Sequence, residues 1–350
     1  MTDQAPTEAV VDPDLLAMIR EVVAAHATSA EPASAPADLD DTLWARIDAL
    51  GLIRLTTPEE DGGSGATWHE SAALIGELAR AAVHQPVGEH DLLSDWLLRA
   101  VGLPSDGRRR TVALFDAEGI ATAVPWARSA HSIVCAWPTE GSWQVADVPL
   151  PLFGLTHGTN LAGEPRDDLR IGLGSITGSA AASHETMAEL RLRAALVRGV
   201  QVSAALEACL ARTVEHATTR IQFGRPIARF QAVQHAVAEM AAETSLCRAA
   251  TDAAVATAAR RDQQGASLAE LALAVAVARS CAGHAASVVV RKAHQLHGAI
   301  GTTLEHSLHR STLSALAWRS EYGSTQHWDG RVAALASEAG QARLWALITG

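Results

Sequence analysis

Two segments concentrate the residues best suited to chemistry. One is Arg220-Ile221-Gln222-Phe223-Gly224-Arg225-Pro226-Ile227, with Gln231 four residues on; the other is Gln295-Leu296-His297-Gly298-Ala299-Ile300-Gly301. A guanidinium at Arg220 can grip a diphosphate through bidentate, charge-assisted hydrogen bonds, and Gly298 would let main chain approach a ligand closely. Taken singly, Arg220 equally suits a helix-end cation, Phe223 a core anchor and Gln295 an exposed amide. His294, His297, His306 and His309 include i,i+3 spacings known from metal sites. No neighbouring Asp or Cys completes a ligand set, and Arg291, Lys292 and Arg310 surround it, so no metal is expected there.

These residues need long helices to hold them. From about residue 184 the apolar period is 3.6: Val202, Leu206, Leu210 and Val214 mark one face, and Val233, Val237 and Met240 a second. Ser267 with Glu270 forms a capping-box pattern ahead of Leu271 to Val277. Stretches near thirty residues, roughly 45 Å at 1.5 Å per residue, suit an antiparallel bundle with short connections. No strict heptad with e/g charge pairs persists, which argues against a coiled coil. Trp318, Trp328 and Trp345 read first as packing anchors.

Upstream the texture differs. Residues 26–41, rich in Ala, Pro, Ser and Asp, read as a linker. Thr42 can cap a helix whose apolar face is Leu43, Ile47 and Leu50 and which stops at Gly51. Residues 58–65 (Pro-Glu-Glu-Asp-Gly-Gly-Ser-Gly) form a loop, and helices are expected over roughly 69–83 and 88–102. Residues 111–115, 132–136 and 142–148 are β-prone runs separated by turn-formers. The fold class expected is therefore α+β, mainly α: 1–41 a flexible segment with a possible helix, 42–107 a helical domain, 108–183 a central β domain, and 184–350 a four-helix bundle.

Composition narrows the function classes. Among 350 residues, 28 basic against 39 acidic give a formal charge of −11 with no basic cluster, which leaves no electrostatic footprint for nucleic acid. The four cysteines, at 135, 209, 247 and 281, lack Cys-x-x-Cys spacing, so neither a zinc site nor a disulfide framework is indicated, and a reducing cytoplasm fits. No apolar run long enough to span a bilayer was expected, so no membrane partner is read.

The domain order and the two segments together resemble the acyl-CoA dehydrogenases over nearly the whole chain, with Leu43-Trp44, Leu50-Gly51-Leu52 and the 58–65 loop resembling the family's stretch before its third helix. The resemblance implies an FAD cofactor and an acyl-CoA substrate. It assigns contacts with the pyrophosphate and adenine ends of a neighbouring subunit's FAD to Arg220, Gln222, Phe223, Gln231, Gln295 and Gly298; Ala299 replaces a glycine common in the family.

The family's reaction requires a carboxylate to remove the proton next to the thioester carbonyl. The usual position for it, just before a glycine, is Tyr322; ionising a tyrosine at pH 7 costs about 4 kcal/mol. Glu321 stands one residue away, displaced by about 100° on a helix. The alternative base position carried by some members falls on Ala194. The family's Thr-Glu-Pro and Gly-Ser-Asp signals have no counterpart between 108 and 180, where residues 124–128 (Val-Pro-Trp-Ala-Arg) resemble only the structural portion of that domain. The expectation is a base-deficient subunit of an α2β2 heterotetramer whose homologous partner supplies the catalytic carboxylate, similar to heteromeric actinobacterial enzymes of steroid side-chain catabolism. The alternatives are a self-sufficient homo-oligomeric dehydrogenase using Glu321, and a non-enzymatic acyl-CoA-binding or scaffold protein.

Overall fold

Ile19, Val22 and Val23 recur at helical spacing and form the buried face of α1 (Pro13–Ser29). The computed structural model describes residues 11–29, 38–303 and 305–349, and the chain divides into two units, 1–197 and 198–350. α1 is the helix that the sequence left possible within the first forty-one residues. The α1 face packs with Leu43, Trp44 and Ile47 of α2 (Asp41–Ala49) and with Leu74 and Leu78 of α3 (Trp68–Arg80) in one core. Residues 26–29 of the expected linker are the last turn of α1, and 30–37 lie outside the described residues. Asp40, rather than Thr42, caps α2: its Oδ1 accepts the Leu43 N–H at 2.8 Å, the third helical amide, whereas Thr42 already lies inside the first turn. Gly51, at φ 72°, ends that helix as expected.

The second expected helix is divided. Residues Glu89–Asp95 form a π-helical stretch that leads into α4 (Trp96–Ala100), and all seven π-helical residues are buried. Sequence periodicity missed this because four of the seven are Glu, His or Asp, types rarely interior unless paired. Here both aspartates are paired: Asp95 Oδ2 accepts from Arg54 Nε at 2.6 Å, and Asp91 accepts the Thr56 N–H, the Thr56 hydroxyl at 2.9 Å and the Ser71 hydroxyl.

The β domain holds two sheets. β1 (Arg110–Leu114), β3 (Ser132–Thr139), β4 (Ser142–Pro149) and β7 (Ala180–Ala182) form one in the order β1-β3-β4-β7; β2 (Ile120–Pro125), β6 (Arg166–Arg170) and β5 (Gly154–Thr156) form the other in the order β2-β6-β5. β1 runs parallel to β3, and Cys135 pairs with Ala146 across the antiparallel β3–β4 ladder. Ile133, Cys135, Trp137, Ala146 and Val148 from the first sheet meet Ala121, Val124 and Leu169 from the second in a shared core. The three β-prone runs read from sequence are β1, β3 and β4.

α5 (His184–Thr219) begins in the first unit and continues into the second. A hairpin of β8 (Ile221–Gln222) and β9 (Arg225–Pro226) follows, then α6 (Gln231–Gln264), α7 (Leu268–His297), α8 (Leu308–Trp318) and α9 (Thr325–Thr349). The Ser267–Glu270 capping box is formed, with Ser267 Oγ accepting the Glu270 N–H and Glu270 accepting the Ser267 N–H at 2.7 Å. The expected α5 stripe runs out early: Val202 and Leu206 are buried and Val214 is exposed, because Cys209, Thr213 and Ala217 take over the inner face. Trp318 and Trp328 are buried anchors, whereas Trp345 is exposed. Two helical stretches, His184–Thr219 and Leu268–Thr302, are long and apolar enough to cross a bilayer, longer runs than the sequence reading allowed; 83% and 56% of their apolar windows are buried inside the protein, as core helices are.

Burial raises the Asp91 carboxyl to about 7, against the opposing Thr56 hydrogen bonds. Its proton is therefore held more tightly in the folded than in the unfolded chain, so the stability linked to Asp91 is present at low pH and is lost as pH rises from about 4 through about 7. Asp91→Asn removes that slope. In urea unfolding, the variant should gain on the wild type between pH 5 and pH 8; an unchanged difference would show that Asp91 does not titrate in this window.

Candidate functional site

The sequence segment that carries the expected base position, after α8, is organised by one guanidinium. Arg279 on α7 is 2% exposed, and its Nη2 donates to the main-chain carbonyls of Glu321 at 2.7 Å, Arg319 at 3.0 Å, Trp318 at 3.3 Å and Gly323 at 3.3 Å. Burial, reinforced by the neighbouring Arg198, lowers the Arg279 pKa to about 10, so it remains charged near neutrality. Carbonyls that end a helix otherwise lack partners, and here a single cation collects them. The turn is tight enough to hold Tyr322 at φ 54°, an uncommon conformation for a bulky residue, and Gly323 at φ 119°, where a Cβ would lie 2.6 Å from Trp328 Nε1.

The side chains on this turn are committed elsewhere. Glu321 Oε2 accepts from Arg198 Nε at 2.6 Å; Arg198, on α5, is itself buried and also donates to Gln201 Oε1 at 2.7 Å. The same guanidinium carbon lies 5.5 Å from the Tyr322 ring centroid, within cation–π range. Swinging Glu321 toward a substrate would leave Arg198 buried without its carboxylate, at a cost of about 3–5 kcal/mol. In the first unit, Ala194 is buried on α5 and offers no proton acceptor; the nearest carboxylate along that helix, Glu189, accepts from Arg193 at 2.9 and 3.1 Å, and Arg193 also lies 4.2 Å from the Trp96 ring. Arg198 and Arg279 were not read as site residues. Their only signal in the sequence is position, an arginine set among Ala, Val and Gly at helical spacing.

The two segments expected to contact a cofactor come together through imidazoles. His216, one turn before Arg220 on α5, stacks on His297 with ring centroids 4.3 Å apart, and His297 immediately precedes Gly298. Arg220 ends α5, its N–H donating to the His216 carbonyl at 2.9 Å, and it receives the Ile227 N–H at 2.9 Å, which closes the hairpin. Phe223 and Gly224, at φ 51° and 76°, form a two-residue turn of the type that antiparallel hairpins favour. Phe223 is 92% exposed, so it is no core anchor; its ring meets Phe230 edge-on at 6.1 Å. Arg220, Gln222, Gln231, Gln295 and Gly298 are likewise exposed.

Gly298, at φ 63°, has nothing within 4 Å of where a Cβ would stand, leaving its main chain open to a ligand. A guanidinium, three amides and an open glycine, all presented outward, suit an anionic dinucleotide reached from outside this chain. Of the four histidines first considered, the structure brings only His297 and His306 to His216; His294 donates or accepts at Thr312 Oγ1, and His309 Nδ1 lies 2.7 Å from the His306 carbonyl. Burial lowers the pKa of His216 and lowers that of His297 to about 4, so both rings are neutral at pH 7.

Residues 13–103 match the model of the acyl-CoA dehydrogenase N-terminal domain, and residues 183–336 that of the acyl-CoA dehydrogenase C-terminal domain. The chain is 28% identical over 322 residues to acyl-CoA dehydrogenase IpdE2 of Mycolicibacterium smegmatis, covering 88% of this chain and 93% of that protein. It is 30% identical over 332 residues to acyl-CoA dehydrogenase FadE34 of Mycobacterium tuberculosis, covering 88% of this chain and 44% of that longer protein. Among solved structures it is similar to a chain of the ChsE4-ChsE5 complex from Mycobacterium tuberculosis, with a TM-score of 0.81 at 22% identity over 94% of this chain and 98% of that one. It is also similar to a variant of the Tcur3481-Tcur3483 steroid ACAD, with a TM-score of 0.78 at 21% identity over 93% and 97% of the two chains. At such identities the structural likeness carries the fold.

Arg279→Met should destabilise the protein by about 3 kcal/mol or more, since four carbonyls lose a shared charged donor. Arg279→Lys should recover only part of that, because one ammonium cannot span the set. Chemical denaturation of the three proteins checks this, and a loss under 1 kcal/mol for the Met variant would remove Arg279 as the organiser of the turn.

Proposed function

The chain belongs to the acyl-CoA dehydrogenase family, and from that premise we propose that it acts as the base-deficient subunit of a hetero-oligomeric, FAD-dependent acyl-CoA dehydrogenase of α2β2 form. The family's members are oxidoreductases acting on the CH–CH bond of acyl-CoA thioesters, with FAD as cofactor. One observation carries the reading: Glu321, the carboxylate beside the base position, is bound to the buried Arg198, while Tyr322 and Ala194 occupy the two positions where the family places its base.

When bound, FAD supplies the acceptor for the hydride removed from the acyl chain. What this chain contributes is binding. The Arg220 guanidinium would neutralise and orient the diphosphate, the amides of Gln222, Gln231 and Gln295 would hydrogen-bond the cofactor's far end, and Gly298 would admit it close to main chain. Phe223 would cover it with an apolar surface that is otherwise left in water. A homologous partner subunit would contribute the catalytic carboxylate and the flavin-ring pocket, and thus the proton abstraction. A steroid side-chain CoA thioester is the substrate class favoured by the steroid enzyme among the structural relatives, and the cytoplasm is the compartment that suits four unpaired thiols.

Flavin absorbance of the chain purified alone and after co-expression with its partner tests the assignment. The chain alone should be colourless and the complex yellow, with about one FAD per heterodimer; a yellow, active homo-oligomer sinks the proposal in favour of a self-sufficient enzyme, and a flavin-free complex in favour of a scaffold.

Two substitutions sharpen the outcome. Arg220→Ala should weaken FAD binding by the complex roughly 10- to 150-fold, the equivalent of about 1.5–3 kcal/mol for a charged hydrogen bond. Glu321→Gln should leave the complex's turnover within about twofold, whereas removal of a true base costs about 10²–10⁴-fold.

A further inference from the structure

Three imidazoles that lie far apart in sequence meet beside Arg220 and Gly298. His216 comes from α5, His297 from the end of α7 and His306 from the connection to α8, and a ring nitrogen of each lies within 4.8 Å of those of the other two. His297 is 6% exposed, and its Nδ1 lies 2.8 Å from the Ala293 carbonyl. A carbonyl oxygen only accepts, so Nδ1 carries the proton and Nε2 presents a lone pair. That Nε2 is buried and has no hydrogen-bond partner among the described residues. A buried lone pair that no protein donor takes up is free to ligate a cation.

We propose that His216, His297 and His306 form a site for one divalent late first-row transition-metal ion of the zinc class, held by three imidazoles with its remaining positions open to water.

The Ala293 hydrogen bond is the contact by which metal-bound histidines are usually oriented from their far nitrogen. The ligand set has no carboxylate, which disfavours calcium and magnesium and favours zinc, nickel or copper. Arg220 and His294 face the cluster with positive or potentially positive charge, and His306 Nδ1 accepts the Leu308 N–H at 3.1 Å, an interaction that ligation perturbs. Both features reduce affinity, which points to a micromolar site rather than a permanently loaded one.

Zinc–nitrogen bonds of about 2.0–2.1 Å place neighbouring ligands about 3.3 Å apart, so the rings must close by up to about 1.5 Å. His216 and His306 are only partly buried and can turn about their second side-chain torsion to converge on the fixed Nε2 of His297. The earlier expectation of no metal rested on sequence neighbours of His297; the completing ligand, His216, comes from a helix 81 positions away (297 minus 216). Bound metal would tie the end of α5 to the end of α7, fixing the two segments that flank it.

The untagged full chain, stripped with a chelator, is titrated with Co²⁺ and followed by its visible d–d absorption, then with Zn²⁺ as competitor. One Co²⁺ per chain should appear, without sulfur-to-cobalt charge transfer, and be displaced by Zn²⁺. His297→Gln should abolish the bands, and His216→Asn and His306→Asn should each weaken binding at least tenfold. Should His297→Gln fail to fold, the two less buried positions carry the test. Absence of stoichiometric bands, or binding indifferent to His216→Asn and His306→Asn, overturns the site and leaves the rings as packing. The inference is separable from the flavin reading, because Arg220→Ala is expected to lower flavin content without lowering Co²⁺ affinity.

Discussion

Arg279 carries a positive charge into the buried face of α7, among Val275, Ala276, Ala278, Ala282 and Gly283, and the turn after α8 is shaped around satisfying it. An unpaired buried guanidinium is among the costliest groups a core can hold, so the main chain from Trp318 to Gly323 curls until its carbonyls face Nη2. Curling that far forces Tyr322 to a positive φ and permits only glycine at 323. Glu321 is then delivered to Arg198, a second buried cation on α5. The turn after α8 is thereby a structural joint: two buried arginines, one carboxylate and a set of carbonyls, each meeting another's electrostatic need.

The same use of buried charge recurs in the first unit. Arg110 is 1% exposed and donates to Asp147 at 3.0 Å and Asp106 at 2.7 Å; Arg54 donates to Asp95; Asp91 is kept against water by Thr56 and Ser71. A π-helical stretch at residues 89–95 costs the regular i→i−4 ladder, and the polar partners make that geometry tenable. With so few large aromatics, the cores interlock through polar pairs as well as through apolar volume, which ties stability to pH through Asp91 more strongly than an aliphatic core would.

Local rules were readable wherever the chain decides its structure locally. The Ser267–Glu270 box, the stop at Gly51, the β1, β3 and β4 runs and the long helical period all depend on near neighbours, and all are formed. α1 was legible only as a possible helix because its apolar positions adjoin an Ala-, Pro- and Ser-rich stretch whose composition dominates any window that includes both. The π-helical stretch was hidden because its burial depends on Arg54, Thr56 and Ser71, partners chosen by tertiary structure. Motif spacing singled out Arg220, Gln222, Phe223, Gln231, Gln295 and Gly298, which the structure leaves exposed, but the commitment of Glu321 to Arg198 spans 123 residues, and the meeting of His216 with His297 spans two helices. Such pairings have no local signature.

Exposure separates the two halves of the candidate site. Around Glu321 the carboxylate is engaged inward, and moving it breaks its pair with the buried Arg198. Around Arg220 the polar groups face outward, with Phe223 standing almost wholly in water at the tip of a two-residue turn. A large exposed aromatic on a tight, positive-φ hairpin is unfavourable for a chain in isolation, and it becomes favourable only when a ligand or another surface covers it. The stack of His216 on His297 holds the bases of the two outward segments together, so they present a pre-formed surface to that ligand and less ordering is needed on contact. An inward-engaged carboxylate at one end and an outward-facing polar surface at the other are compatible consequences of how this chain distributes its charges.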